Sequence, residues 1–115
     1  MRMELRSPDP SLNPYLAFAL ILAAGMDGVE RNLSLPPALD ADLYAADPSV
    51  TGNLPRLPGS LQEAIRIAGS SAFVKAVLGE EVSGRYLRLK MEEAEAWEAA
   101  EDPRAFFYDH YFRII

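Results

Sequence analysis

The sequence predicts a mainly α-helical chain that begins with one short strand. Arg2, Glu4 and Arg6 alternate with apolar residues, which is the period-two pattern of a strand over residues 1–7. Further along, helix-start signals and helical periodicity replace this pattern. At 115 residues the chain has room for one small domain, so we expect one strand followed by four to five helices.

Composition narrows the classes of partner. The 17 Asp and Glu residues outnumber the 11 Lys and Arg residues, and a net charge of −6 argues against nucleic acid or an anionic membrane as a partner. The chain has no cysteine, which excludes disulfides and thiolate metal sites. Since the N-terminus also lacks an apolar signal segment, we expect a cytoplasmic protein.

The first helix has a clear start and an unusual surface. Asn13 is a good N-cap and Pro14 suits the first helical position, so a helix should run from here to about Asp27 or Arg31. Tyr15 to Met26 is a run of 12 apolar or glycine residues. A bilayer-spanning helix needs about 20. We therefore expect a buried helix, apolar on all sides, that needs more cover than this chain supplies.

The middle of the chain reads as a long connection. Residues 32–59 contain five prolines and two glycines, so we expect them to be mostly irregular. Ser60 to Glu63 then forms a capping box that opens the next helix. On this pattern the chain divides into a strand and buried helix (1–31), a long loop (32–59) and a helical subdomain with its tail (60–115).

The helical subdomain should contain three helical segments before Pro103. After the capping-box helix, a short helix over Ser71–Leu78 should stop at Gly79. The longest helix should run from Glu80 or Glu81 to Glu101. Five apolar residues share one side of it and are expected to face inward: Val82, Tyr86, Leu89, Ala96 and Trp97. Pro103 breaks it before an aromatic tail.

The charged strand is the candidate chemical site. Arg2, Glu4 and Arg6 would lie on one face, about 7 Å apart. A carboxylate between two guanidiniums stays ionised and could bind a hard cation such as Mg²⁺, while the arginines could hold carboxylate or phosphate oxygens. The alternative is a solvated face whose charges neutralise one another, and from spacing alone this alternative is favoured.

A longer string of motifs changes that balance. In order, the chain carries Arg-x-Glu-x-Arg, Pro8-Asp9-Pro10, Asn13-Pro14-Tyr15, an alanine-rich helix, and Ala24-Gly25-Met26-Asp27-Gly28. This string of about 30 residues closely resembles the start of the C-terminal part of the glutamine synthetase catalytic domain. Looser similarity continues through ADLYAADPS, LPGSLQEAI and GRYLRLKMEEAEAWE. The resemblance implies an α+β parent fold, of which this chain would be a mainly helical portion.

The resemblance also implies roles for individual residues. Glu4 matches a glutamate that holds an active-site Mg²⁺ or Mn²⁺ ion. Arg6 matches an arginine that contacts glutamate and its γ-phosphate, and Arg2 matches one near the nucleotide phosphates. Family members transfer the γ-phosphate of ATP to glutamate and let ammonia displace it. A metal and positive charges beside the transferred phosphoryl group would stabilise that reaction.

The same comparison shows what the 115 residues lack. The family's β-grasp domain, most of its barrel, and its other metal-binding glutamates and histidine have no counterpart here, so no complete catalytic set is expected in this chain. We expect it to work with the remainder of a catalytic domain or with synthetase subunits, as part of a homo-oligomer. A different reading is a standalone helical interaction module without catalysis. An unrelated helical domain would require the motif match to be accidental.

Two aromatic features have competing interpretations. Tyr44 falls where some bacterial members carry a tyrosine modified by adenylylation, although DLYAADPS departs from their context. The alternative is an ordinary loop tyrosine with a packed ring. His110, in the aromatic tail, could belong to a binding patch, but a terminal segment that packs on a partner is favoured. The acidic residues between Glu92 and Glu101 are expected to form a solvated helix face.

Overall fold

The helices of the structure begin where the sequence carries helix-capping residues. A computed structural model describes residues 4–52 and 54–113, and these residues form five α-helices and a π-helical turn. The elements, in chain order, are α1 (Pro14–Glu30), α2 (Pro48–Thr51), α3 (Leu61–Ser70), α4 (Ala72–Glu98), α5 (Pro103–Phe107) and the π-helical turn Tyr108–Phe112. The prediction of a mainly helical chain is confirmed.

The predicted N-terminal strand is wrong for the part that the structure describes. Residues 4–7 form no strand, and no other segment within residues 4–52 and 54–113 forms one either. A single strand has no partner to complete its ladder of hydrogen bonds, so alternation alone cannot produce a sheet. Residues 1–3, including Arg2, lie outside the described residues.

Helix α1 is fixed at both ends by local hydrogen bonds. The Asn13 side chain accepts from the backbone N–H groups of Tyr15 and Leu16, at 3.0 and 3.2 Å. At the other end Asn32 takes a positive φ of 49°. The Asn32 and Leu33 N–H groups then bond the carbonyls of Val29 and Gly28, which is the Schellman arrangement that closes a helix.

Helix α1 is only half covered by the rest of the chain. Its inner face packs against α4, but none of its residues is buried. A stripe on the opposite side is exposed: Tyr15, Phe18, Leu22, Met26 and Val29, here called the outer stripe. The predicted burial of this helix is therefore not provided by the described residues.

Helices α3 and α4 form the best-covered unit. Ser60 caps α3 by accepting from the Glu63 N–H at 3.1 Å, and the Glu63 carboxylate accepts from the Gly59 N–H at 2.8 Å. Ser71 separates the two helices and caps α4 through the Val74 N–H, at 3.2 Å. The predicted capping box at the start of α3 is therefore present.

Gly79 interrupts α4 as its sequence position predicts. It has φ 76° and ψ 157°, a region that residues with a Cβ rarely enter. The Ser83 hydroxyl donates to the Gly79 carbonyl at 2.6 Å and so satisfies a carbonyl freed at the break. Beyond the break the helix ends at Glu98, earlier than the predicted Glu101, and Asp102 caps α5, which begins at Pro103.

The inward face of α4 differs from the predicted one. Ser83 and Ala94 are buried, with Leu87 and Lys90 partly covered between them. Val82, Leu89, Ala96 and Trp97, predicted to face inward, are exposed, and of that set Tyr86 alone is partly covered. Small residues at the contact let neighbouring helices approach closely, so residue size as well as apolarity selects the packed side.

The chain as a whole is more open than a closed domain of its length. Its radius of gyration is 17.1 Å, whereas a compact domain of about 100 residues has a value near 13 Å. Ile65 of α3 joins Ser83 and Ala94 as the buried residues of the described part. Within that part, no helix combines the length and apolarity needed to cross a bilayer.

Candidate functional site

Glu4 and Arg6, the central pair of the sequence-predicted site, lie in contact. The Arg6 Nε donates to the Glu4 Oε1 at 2.6 Å, and the two side chains are 85% and 55% exposed, respectively for Arg6 and Glu4. An exposed ion pair contributes only about 0–1 kcal/mol to stability. This pair is therefore not explained by a need to stabilise the chain, and both groups remain accessible to a ligand.

A tight turn connects this pair to α1. The Asp9 carboxylate accepts from the Ser11 N–H at 2.8 Å and from the Ser11 hydroxyl at 2.5 Å, and the Leu12 N–H bonds the Asp9 carbonyl at 3.1 Å. The side-chain and backbone hydrogen bonds from Ser11 hold the pKa of Asp9 below its usual value. Together with the Asn13 cap, this turn fixes how residues 4–7 enter the helix.

An open apolar groove of about 200 Å³ lies where α1 meets α4. One wall comes from Leu12, Leu16 and Leu20 around the start of α1. The other comes mainly from α4, through Val74, Leu78, Tyr86 and Leu87. The groove has almost no polar lining, so it suits apolar packing and offers no ligands for a metal or phosphate.

Glu4 fits the role of one metal ligand but not that of a whole site. A carboxylate oxygen is the donor type that Mg²⁺ and Mn²⁺ accept, but such ions take about six ligands. In the part of the chain that the structure describes, no group of three or more Asp, Glu or His side chains could hold a metal ion together. A complete set of protein ligands would therefore need residues from outside the described part.

Tyr44 stands apart from the Glu4–Arg6 pair, on a turn in the long loop. The Asp42 side chain accepts from the Tyr44 N–H at 3.0 Å, and the Asp42 carbonyl accepts from the Ala45 N–H at 3.1 Å. The Tyr44 ring is fully exposed. The interpretation of an ordinary loop tyrosine with a packed ring is therefore wrong for this structure.

His110 stacks within its own tail. Its ring lies 4.8 Å from that of Phe106, measured between centroids, with the planes 11° apart. The two residues are about one helical turn apart, and both belong to the tail. The structure therefore gives His110 a local packing partner and brings it to no metal-ligand group among the described residues.

Sequence analysis missed a polar cluster that joins α4 to the tail. The Lys90 ammonium lies 2.7 Å from Glu93 Oε2, and the Tyr111 hydroxyl donates to Glu93 Oε1. The Glu93 side chain is 12% exposed, unlike its acidic neighbours on the helix. Only the spacing of Lys90 and Glu93 could have been read locally, because Tyr111 is far away in sequence.

The environment of this cluster changes two pKa values. Burial of the Glu93 carboxylate favours its neutral form, but the hydrogen bonds from Lys90 and Tyr111 outweigh burial, so the pKa of Glu93 lies below its usual value. Burial, together with the hydrogen bond to Glu93, raises the pKa of Tyr111 to about 12. Near neutral pH the cluster therefore holds an ionised Glu93 and a protonated Tyr111 hydroxyl.

Comparison with known families identifies the class to which this fold and motif set belong. Residues 1–108 match the family described as "Glutamine synthetase, catalytic domain". The chain belongs to this family, as the motifs around Glu4 and Asn13 predict.

Individual relatives carry the same name. The chain is 40% identical to a glutamine synthetase of Bradyrhizobium diazoefficiens over 108 residues, which cover 91% of this chain and 23% of the relative. It is 40% identical over 94 residues to that of Thermus thermophilus, covering 80% and 21%. It is 35% identical over 101 residues to that of Methanococcus voltae, covering 86% and 23%. The chain thus spans about a quarter of the length of these relatives.

Proposed function

We propose that this chain supplies part of the catalytic centre of a glutamine synthetase, an enzyme that ligates ammonia to glutamate through a γ-glutamyl phosphate made from ATP. Membership of the family supports this proposal. The observation that carries it is the accessible Glu4–Arg6 pair, which lies shortly before the Asn13 cap of α1. Because the pair is exposed, its contribution to stability does not explain its presence.

Each charged residue has a proposed role. Glu4 is one ligand of a Mg²⁺ or Mn²⁺ ion, which when bound would polarise phosphate oxygens. Arg6 holds the substrate glutamate and its γ-phosphate, because a guanidinium binds such oxygens in two-pronged fashion. Arg2, which lies outside the described residues, approaches the nucleotide phosphates. The contact between Arg6 and Glu4 would open or rearrange as the anionic substrate and the metal take over their charges.

The chain on its own is not proposed to be active. Glu4 is a single carboxylate, and the outer stripe of α1 is left uncovered. The remaining ligands and the cover for α1 come from the remainder of a synthetase catalytic domain, on the same natural chain or on another. The proposed assembly is a homo-oligomer in the cytoplasm, as the resemblance implies.

Tyr44 is the proposed site of a regulatory modification, adenylylation of its hydroxyl. Full exposure of the ring on a turn supports this role, since a modifying enzyme must reach the oxygen. Incubating the chain with an adenylylating enzyme of a bacterial synthetase and ATP should add one adenylyl group, detected by mass. Tyr44→Phe should abolish the addition, whereas Tyr15→Phe, another exposed tyrosine, should not.

The main test is a chimaera. Residues 1–108 of this chain replace the matching segment of the Bradyrhizobium enzyme, and phosphate release from ATP is measured with glutamate and ammonia. The chimaera should be active. Glu4→Gln and Arg6→Gln should each lower kcat by at least about 100-fold, because each removes a charge that acts on the transferring phosphoryl group.

Exposed charges one helix away provide the controls. Glu30→Gln and Arg31→Gln change an acid and a base at the end of α1 and should leave activity unchanged. An active chimaera that tolerates Glu4→Gln and Arg6→Gln would overturn the assigned roles. An inactive chimaera that still assembles would instead favour the helical interaction module.

A further inference from the structure

The tail formed by α5 and the π-helical turn is held on α4 by few contacts. Most of its aromatic side chains are exposed, including Phe107, Tyr108 and Phe112. Phe106 and Tyr111 are the partly covered ones. The apolar area that the tail buries is therefore small, so apolar burial contributes little to its attachment to α4.

The aromatic contacts of the tail act within the tail. Phe107 and Tyr111 have ring centroids 5.0 Å apart, and Tyr108 and Phe112 have theirs 5.8 Å apart. Each pair is spaced at four residues, like Phe106 and His110. Such pairs stabilise the helical turn itself. They contribute nothing to its attachment, because no ring of α4 takes part in them.

One polar contact bridges the two elements. Among the hydrogen bonds of the described residues, the bond from the Tyr111 hydroxyl to Glu93 is the only one between residues 103–113 and α4. On α4 the same carboxylate is held by Lys90, whose side chain is 28% exposed and lies 6.0 Å from the Tyr86 ring centroid. The acceptor is thus fixed in place before the tail binds.

We propose that the tail is a releasable strap whose position on α4 is set by a single anchor, the Tyr111 hydroxyl bound to an ionised Glu93. Lys90 keeps that carboxylate charged and oriented. Loss of the Glu93 charge, or of the hydroxyl, frees the strap without unfolding α3 and α4. Release would expose the Glu93 carboxylate and the Tyr111 hydroxyl, which bind each other in the strap.

The charges around the anchor define how it should respond to pH. Lys90 on α4 and His110 on the tail lower the pKa of Glu93, while Asp9 on the turn before α1 raises the pKa of Tyr111. The pKa of Glu93 is lower in the folded chain than its ordinary 4.5. The anchor is therefore fully present above pH 4.5 and is lost as pH falls from 4.5 through the lower pKa of the folded chain.

The experiment is amide hydrogen exchange on the 115-residue chain at neutral pH, with two variants that each remove one half of the anchor. A hydrogen bond to a charged group is worth about tenfold or more in a local equilibrium. Tyr111→Phe and Glu93→Gln should therefore each speed exchange of the amides in residues 106–112 by about tenfold. Exchange in α3 should be unchanged, which shows that the fold is intact.

Matched controls sit beside each anchor residue. Tyr108→Phe removes an exposed hydroxyl from the same turn, and Glu92→Gln removes an exposed charge next to Glu93; neither should alter exchange in the tail. The proposal would be overturned if the amides of residues 106–112 exchanged as slowly in Tyr111→Phe as in the wild-type chain. It would also be overturned by a difference between wild type and Tyr111→Phe that persists undiminished when pH is lowered below 4.5.

Discussion

Helix α1 and the α3–α4 pair are built from equally clear local signals but reach different states. Both units have side-chain caps, Asn13 for α1 and Ser60 for α3. The α3–α4 pair nevertheless encloses buried residues, whereas α1 keeps its outer stripe exposed. Local signals therefore decide that a helix forms, and the partner surface decides whether it is covered.

The accessible surface gives this difference a scale. The chain exposes 10090 Å², whereas a compact folded protein of this length exposes about 6,200 Å². Large apolar side chains face solvent on α1 and on the long loop, as others do on α4 and the tail. Under the proposed function, the remainder of a synthetase catalytic domain covers this surface.

The largest expected effect separates the covered unit from the uncovered one. Ile65→Ala removes a buried side chain from α3 and should lower the free energy of unfolding of the 115-residue chain by about 2–5 kcal/mol. Phe18→Ala removes a larger side chain from the outer stripe and should change it by less than about 0.5 kcal/mol. Urea unfolding followed by circular dichroism measures both. Equal losses would mean that α1 is covered too.

Gly79 tests whether α4 depends on its interruption. Gly79→Ala forces a Cβ into a conformation that is almost exclusive to glycine and should cost about 1–3 kcal/mol of stability. Gly84 lies in regular helix five residues later, with open space where an added Cβ would lie. Gly84→Ala should therefore raise the free energy of unfolding by about 0.5–1 kcal/mol. Thermal unfolding of both variants should show shifts of opposite sign, and shifts of the same sign would argue against a fixed break.

Removal of the helix caps of α1 and α3 tests whether α1 unfolds together with the α3–α4 pair. Ser60→Ala and Asn13→Ala each remove a cap worth about 1 kcal/mol. The loss at Ser60 should appear in global unfolding, because α3 contributes the buried Ile65 and packs against α4, which holds Ser83 and Ala94. The loss at Asn13 should appear only as faster hydrogen exchange in α1. If Asn13→Ala lowered global stability as much as Ser60→Ala, the two regions would form one cooperative unit.

The smallest effect on stability is expected on the outer stripe. A Phe18→Gln, Leu22→Gln double variant should change the free energy of unfolding by less than about 0.5 kcal/mol. It should, however, reduce self-association, because it removes exposed apolar area. Sedimentation velocity of the variant and the parent chain checks this, with Val82→Gln on the exposed side of α4 as a matched control. Unchanged association in the double variant would show that the stripe is not the sticky surface.

Sequence reasoning worked best where structure is decided locally. The starts of α1 and α3 and the break at Gly79 depend on residues within a few positions of one another, and all three are found. The strand prediction failed over residues 4–7 because a strand needs a hydrogen-bonded neighbour, and none of the described residues forms one. The inward face of α4 was misjudged because close helix contact selected Ser83 and Ala94 over larger apolar residues.

Sequence patterns indicate which charged residues lie near one another only when those residues are close in the chain. The spacing of two placed Glu4 and Arg6 on one face of a strand; the structure has them as an ion pair outside any strand. The anchor between Glu93 and Tyr111 could not be predicted, because an acidic residue in a row of acidic residues carries no local sign of its partner. Such a contact depends on how the tail folds back, which only the tertiary structure shows.

The central claim is that α3 and α4 complete each other while α1 awaits cover from outside the 115 residues. Amide hydrogen exchange on the isolated chain tests it most directly, by comparing residues 14–30 with residues 61–98. The account predicts that amides in α3 and α4 exchange at least about tenfold more slowly than those in α1. Equal protection in the two regions would contradict it.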